Sequence, residues 1–148
     1  DVYKRQDREG WGDRVRLIES DAAELQPEAV TRTVTELRGG GDGRADALLA
    51  TYSLSVITER EEAWRRARAC LRPGARACIV DMQPPHGFWR VLSPLARLAC
   101  ATGGADISAR PWRMLERDAV DPASVRRVER KGGHIVAVVA TVDGGSPL

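Results

Sequence analysis

The stretch from Ala45 to Asp81, ADALLATYSLSVITEREEAWRRARACLRPGARACIVD, narrows the choice of fold more than any other part of the chain. Two short apolar runs, Ala45–Leu49 and Ala77–Val80, flank a segment with apolar residues at helical spacing. Runs of that kind suit strands covered on both faces. Between them, Ala63, Trp64, Ala67, Cys70 and Leu71 fall on one stripe of a helix predicted over Glu59–Leu71. Thr58 stands three residues before Glu61, the spacing of a capping box. Glu61 and Glu62 precede Arg65 and Arg66 by four, so ion pairs are expected along the wet face. Pro73 cannot continue the helix, and Pro73-Gly74 suits the centre of a type II turn. Strand, helix and strand with short joints make a right-handed parallel crossover.

The rest of the chain extends this unit. Arg14–Glu19 is a strand candidate, with Val15 and Leu17 on one face, and it closes on Ser20-Asp21-Ala22. Asp21 is suited to cap the short segment Ala22–Leu25. Pro27 opens a helix carrying Val30, Val34 and Leu37, which Gly39 ends. The glycines of Gly39–Gly43 follow a helix and precede a strand, the reverse of a phosphate-binding loop, so they read as a connector.

After Asp81, Met82–Gly87 forms a rigid polar loop at a strand's carboxyl end, where open parallel sheets bind ligands. A helix is predicted from Pro94 with Ser93 as cap, ending at Gly103-Gly104, and a second over Pro111–Arg117. Val125–Arg130 and His134–Val142, joined by Lys131-Gly132-Gly133, make an antiparallel hairpin. The predicted class is α/β, parallel strands followed by that hairpin. Residues 14–143 form the domain, and 144–148 a frayed tail. Residues 1–13 are expected to be disordered or artefactual. Asp1–Gln6 reads as a translated adapter remnant and is set aside.

The order of these motifs resembles a class I S-adenosylmethionine-dependent methyltransferase. Asp46-Ala47 opens the family's fourth strand, Thr51-Tyr52-Ser53 begins its polar and aromatic loop, and Leu71-Arg72-Pro73-Gly74 makes the turn before the fifth strand. Two departures stand out: Ala75 replaces the turn's second glycine, and Ser20 replaces the glycine before Asp21. The resemblance implies S-adenosylmethionine as cofactor, with Asp21 receiving the adenine amino group and Ala22, Thr51 and Tyr52 nearby. It further implies a partial Rossmann-like sheet. The glycine-rich turn and the ribose-binding acid that follow the family's first two strands are not found before Arg14. The chain is therefore expected to be a C-terminal fragment lacking those strands, binding the cofactor poorly by itself. Thr51–Val56 (TYSLSV) and Gly104–Trp112 (GADISARPW) look most like the branch of phospholipid and amine N-methyltransferases, which implies a small-molecule or lipid head-group acceptor.

Methyl transfer is a direct displacement that needs in-line positioning and dryness, with a base only if the nucleophile arrives protonated. Tyr52, Asp81 and His86, all at strand ends, are the catalytic candidates. His134 and Trp64 are assigned to structure, while Trp89 and Trp112 flank a lid and suit either core or pocket lining. Cys70, Cys78 and Cys100 lack metal-ligand spacing and lie in apolar runs, so they read as reduced structural thiols in a cytoplasmic protein, with no metal site. A net charge of +2 with both signs mixed argues against a nucleic-acid partner. No apolar run is long enough to span a bilayer. The lid, residues 84–110, carries Phe88, Trp89, Leu92 and Leu95 beside Arg90 and Arg97, a composition suited to peripheral membrane contact or to burial over a pocket. Two other classes fit the crossover: a different doubly wound enzyme such as a nicotinamide dehydrogenase, and a non-catalytic interaction module.

Overall fold

The computed structural model describes residues 10–145. Its elements are α1 (Pro27–Arg38), β1 (Ala45–Thr51), α2 (Arg60–Ala69), β2 (Leu71–Met82), α3 (Ser93–Thr102), α4 (Trp112–Arg117), β3 (Arg126–Arg130) and β4 (Ile135–Val142), with short 3-10 segments at Ala22–Glu24, Gly87–Leu92 and Pro122–Ser124. The strands form one mixed sheet in the order β1-β2-β4-β3. β1 and β2 are parallel, with Leu48 beside Ala77 and Thr51 beside Val80. β4 runs antiparallel to β2, with Ala140 beside Ala77 and Val136 beside Asp81, and β3 closes the hairpin. The α/β class, the crossover and the hairpin are therefore as expected.

Side chains alternate across a strand, so β2 and β4 each divide into two rows. Ala75, Ala77 and Ile79 of β2 and Val136, Val138, Ala140 and Val142 of β4 share the buried face. Ala63 and Trp64 of α2 and Trp112, Met114 and Leu115 of α4 cover it and complete the core. Trp112 thus belongs to the core, with the Arg127 guanidinium 5.4 Å above its ring. The opposite face is only partly covered. Leu49 is 67% exposed on β1, and Val128 is exposed on β3. The expectation that β1 is covered on both faces is corrected: Asp46, Ala47, Leu49 and Thr51 are exposed, and among the described residues β1 pairs with β2 alone.

The Pro73-Gly74 turn is accommodated as an excursion within β2. The register jumps from Ala45 beside Leu71 to Ala47 beside Arg76. Gly74 has φ +76, the left-handed value that the second central residue of a type II turn requires. Its amide donates to Asp143 Oδ1 at 3.2 Å.

Several local expectations change. Arg14–Glu19 forms no strand; beyond a turn at residues 11–15 it is irregular and mostly exposed. An alternating run becomes a strand only beside a partner backbone, and no neighbouring edge reaches it. Thr58 does not cap α2: Glu59 holds the cap position without a side-chain bond. Glu62 pairs with Arg66 at 2.5 Å as the spacing predicts, but Glu61 turns away from Arg65 and meets Arg117 at 3.0 Å. A bidentate partner from another element outcompetes a flexible pair within one helix. Gly145 is buried and donates to Arg68 O at 3.2 Å, so the first residues of the expected tail pack against the end of α2. Cys78 lies on the half-covered face. Phe88 (89% exposed), Val91 and Leu98 face outward. The expectations for Asp1–Gln6, for residues 146–148 and for the side chains of Trp89, Arg90, Leu92, Leu95 and Arg97 lie outside what is described. Among the described residues no helix is long and apolar enough to cross a membrane.

One polar cluster ties α2 to α4. Trp64 Nε1 donates to Asp118 Oδ2 at 2.8 Å, and Arg68 and Arg117 reach the same carboxylate at 2.8 and 2.9 Å. Burial acts to raise the Asp118 carboxyl. The bonds from Arg117 and Trp64, with the charges of Arg68 and Arg117, outweigh burial and hold it below the ordinary value. A lowered folded value means the unfolded chain takes up the proton first. The stabilisation is complete above the ordinary carboxylate range and is lost as pH falls through the folded value. Asp118→Asn should therefore flatten the fall of stability below about pH 4. Urea unfolding compared at neutral and acid pH checks this, and equal acid slopes in both proteins would contradict it.

Candidate active site

Parallel pairing brings the carboxyl ends of β1 and β2 to one edge of the sheet, and antiparallel pairing brings the start of β4 to the same edge. Tyr52 follows β1 directly. Its amide donates to Val80 O at 2.8 Å, continuing the ladder, and its φ of +51 turns the chain sharply away. A left-handed conformation is costly for a residue with a Cβ, and such residues concentrate at functional sites. The tyrosine stays half exposed at 47%.

Asp81 is fully buried. Its Oδ2 accepts the Ser55 amide at 3.2 Å and its Oδ1 accepts the Met82 amide at 2.8 Å. The carboxylate thus pins the loop after β1 to the end of β2, with both oxygens engaged. His86 lies outside, on the hairpin turn. Its Nε2 meets Glu129 Oε2 at 2.7 Å, and a Cβ on Gly133 (φ +80) would strike its ring. The Arg127 bond, then that of His86, holds the Glu129 carboxyl below its ordinary value. Asp21 caps the Ala22–Glu24 turn, its Oδ1 accepting the Ala23 amide at 2.8 Å. Thr51 is exposed and Ala22 half-buried against the core.

His134, assigned to structure from the sequence, also reaches this edge. It lines a cavity of ≈350 Å3 together with Tyr52, Val56, Met82, Cys100 and Ala105. Its Nδ1 is 2.7 Å from Gln83 O. The signal was present in the hairpin: a strand antiparallel to β2 must begin where β2 ends. Of the catalytic candidates, the structure brings Tyr52 to this cavity. Asp81 is turned to backbone amides, and His86 is engaged on the hairpin turn. Burial raises all three thiols, Cys100 further through the charge of Asp81, so they remain protonated. Among the described residues no cluster of His, Cys, Asp or Glu could ligate a metal. A larger groove of ≈760 Å3 lies between the start of α2 and α4, lined by Glu59, Arg60, Arg110 and Arg113. It contains none of the strand-end residues. The smaller cavity is the better candidate, because it lies where open parallel sheets bind ligands.

No family model matches the chain, and no curated protein matches it in sequence. Solved structures do match in fold. An O-methyltransferase family protein from Burkholderia thailandensis is 17% identical with a TM-score of 0.58, the match covering 99% of this chain and 41% of that one. The mitomycin 7-O-methyltransferase MmcR is 19% identical with a TM-score of 0.53, covering 95% and 38%. The S-adenosylmethionine-dependent methyltransferase SibL, in its apo form, is 16% identical with a TM-score of 0.54, covering 96% and 40%. The likeness is one of fold, and this chain spans about two fifths of the length of these structures.

Removing the Asp81 carboxylate leaves two backbone donors without their acceptor. Asp81→Ala should cost about 2 to 4 kcal/mol, and amide exchange at Ser55 should quicken. Urea unfolding and hydrogen exchange measure both; a loss under about 0.5 kcal/mol would show the bonds to be dispensable.

Proposed function

We propose that the chain is part of an S-adenosylmethionine-dependent methyltransferase that acts on a small molecule or lipid head group. The observation that carries this reading is the largely apolar cavity at the strand-end edge, walled by a left-handed Tyr52. The fold likeness supports it, since named methyltransferases share this sheet over nearly the whole chain. The chain's share of those structures supports the further reading that other elements complete the enzyme.

At the donor's adenine end this reading assigns Asp21. One Asp21 oxygen is taken by the Ala23 amide, and the residue is exposed, so its second oxygen is open to an exocyclic amine. Ala22, Thr51 and Tyr52 would share that contact. When bound, the donor supplies an electrophilic methyl group on a sulfonium. The chain's own part is to line the acceptor's site with the apolar Val56, Met82 and Ala105 and to orient the acceptor against Tyr52.

Ultraviolet cross-linking of labelled S-adenosylmethionine tests this even when affinity is low. Label should enter the peptide containing Tyr52, be displaced by S-adenosylhomocysteine, and fall severalfold in Asp21→Ala. Displacement by NAD instead would favour the dehydrogenase alternative. Label that neither competitor displaces would remove the cofactor reading.

A second reading concerns how the acceptor arrives. Phe88, Val91 and Leu98 expose apolar surface on the segment that follows the strand-end loop. We propose that residues 84–110 touch a lipid surface. Co-sedimentation with anionic vesicles should be strong in the parent and several-fold weaker in Phe88→Ala. Equal recovery of the parent with and without vesicles would strike out membrane contact.

A further inference from the structure

The groove between the start of α2 and α4 is walled by continuations of the two stretches that line the strand-end cavity. Tyr52 and Val56 face the cavity, and residues 58–62 the groove; Gly103 and Ala105 face the cavity, and Ala109, Arg110 and Arg113 the groove. Four arginines stand on the groove wall. Two are committed. Arg60 donates to Ile57 O at 3.2 Å and meets Asp106 at 3.4 Å, and Arg117 meets Glu61 at 3.0 Å and Asp118 at 2.9 Å. Arg110 and Arg113 are exposed, and among the described residues neither side chain makes a hydrogen bond or an ion pair.

Arg110 is also held where an arginine is costly. Its φ of +48 is left-handed, and Pro111 follows, whose ring further restricts the residue before it. Glycine would take this conformation without strain. The position is fixed by its surroundings: Pro111 and Trp112 are buried, and the Arg113 amide donates to Arg110 O at 3.1 Å. Residues held in such conformations concentrate at functional sites, and here the strained residue carries a cation with no partner of its own. Arg113, three residues on, brings a second guanidinium to the same wall.

The acids of the wall narrow what could bind. Glu61 is paired with Arg117, and Glu62 with Arg66. Glu59 is exposed and, among the described residues, is the wall's unpaired carboxylate. Two unpaired cations against one unpaired anion attract a single anionic group and give little hold on a polyanion. One guanidinium fork suffices for the two oxygens of a carboxylate, whereas two forks match the three terminal oxygens of a phosphate monoester. Thr58, which leaves α2 uncapped, adds a hydroxyl to the wall. The groove, at ≈760 Å3, is larger than a bare phosphate needs and suits a small organic body attached to one. We propose that this groove binds a phosphate monoester, with Arg110 and Arg113 as the phosphate's ligands. The proposal stands independently of the methyl-transfer reading, since no residue of the strand-end cavity takes part.

The test uses the 148-residue chain. Glycerol 3-phosphate, glycerol and acetate are titrated while the arginine Nε–H resonances are followed by NMR, the two variants below assigning the signals. Glycerol 3-phosphate should move Arg110 and Arg113 together, glycerol should move neither, and acetate should bind severalfold more weakly. Arg113→Gln should weaken glycerol 3-phosphate about tenfold or more, the loss of charge-assisted hydrogen bonds. Arg110→Gly should weaken it as much while unfolding no more readily in urea than the parent, because glycine relieves the left-handed strain. A second arm asks whether the phosphate arrives on a lipid. Recovery on vesicles containing phosphatidic acid above that on vesicles containing phosphatidylglycerol, lost in both variants, would assign the groove to a lipid-borne monoester. Indifference to glycerol 3-phosphate and to phosphatidic acid alike would overturn the proposal. So would glycerol 3-phosphate binding that both variants retain, or acetate binding as tightly as the phosphate.

Discussion

β2 is hydrogen-bonded along both edges, to a parallel neighbour on one side and an antiparallel neighbour on the other, and that double pairing places everything at the candidate site. The parallel partner makes the turn at Tyr52 and the end of β2 coincide. The antiparallel partner delivers His134 to the same edge. Alternation along β2 then sorts its side chains, Ala75, Ala77, Ile79 and Asp81 inward, Arg76, Cys78, Val80 and Met82 to the half-covered face. A slip of one residue against either neighbour would exchange the two rows, exposing the core and withdrawing Met82 from the cavity. The register is held by the cost of burying the wrong row.

The buried face is secured by two tryptophans that act differently. Trp64 combines apolar area with a hydrogen bond to a charged acceptor, so its position depends on Asp118 and the arginines around it. Trp112 sits beneath the Arg127 guanidinium, and Arg127 in turn bonds Glu129, which bonds His86. That chain of contacts runs from the core to the hairpin turn over the strand-end loop. The polar groups there brace the scaffold.

Much of this was legible in the sequence where local pattern and global role agree. The runs Ala45–Leu49, Ala77–Val80 and His134–Val142 became strands because each lies beside a paired backbone. Pro73-Gly74 could be read as a turn because its chemistry is local, although β2 runs through it. Reading failed where the outcome depends on what lies across space. Arg14–Glu19 has the alternation of a strand and no partner. Glu61 has the helical spacing for Arg65 and a better partner in Arg117. At the site, the position of Tyr52 at the end of β1 could be read, but its left-handed backbone could not. Asp81 could be read as a strand-end catalytic candidate, but its burial follows from a loop that folds back over it. The place of His134 on the cavity wall follows from the register of the hairpin rather than from its neighbours along the chain.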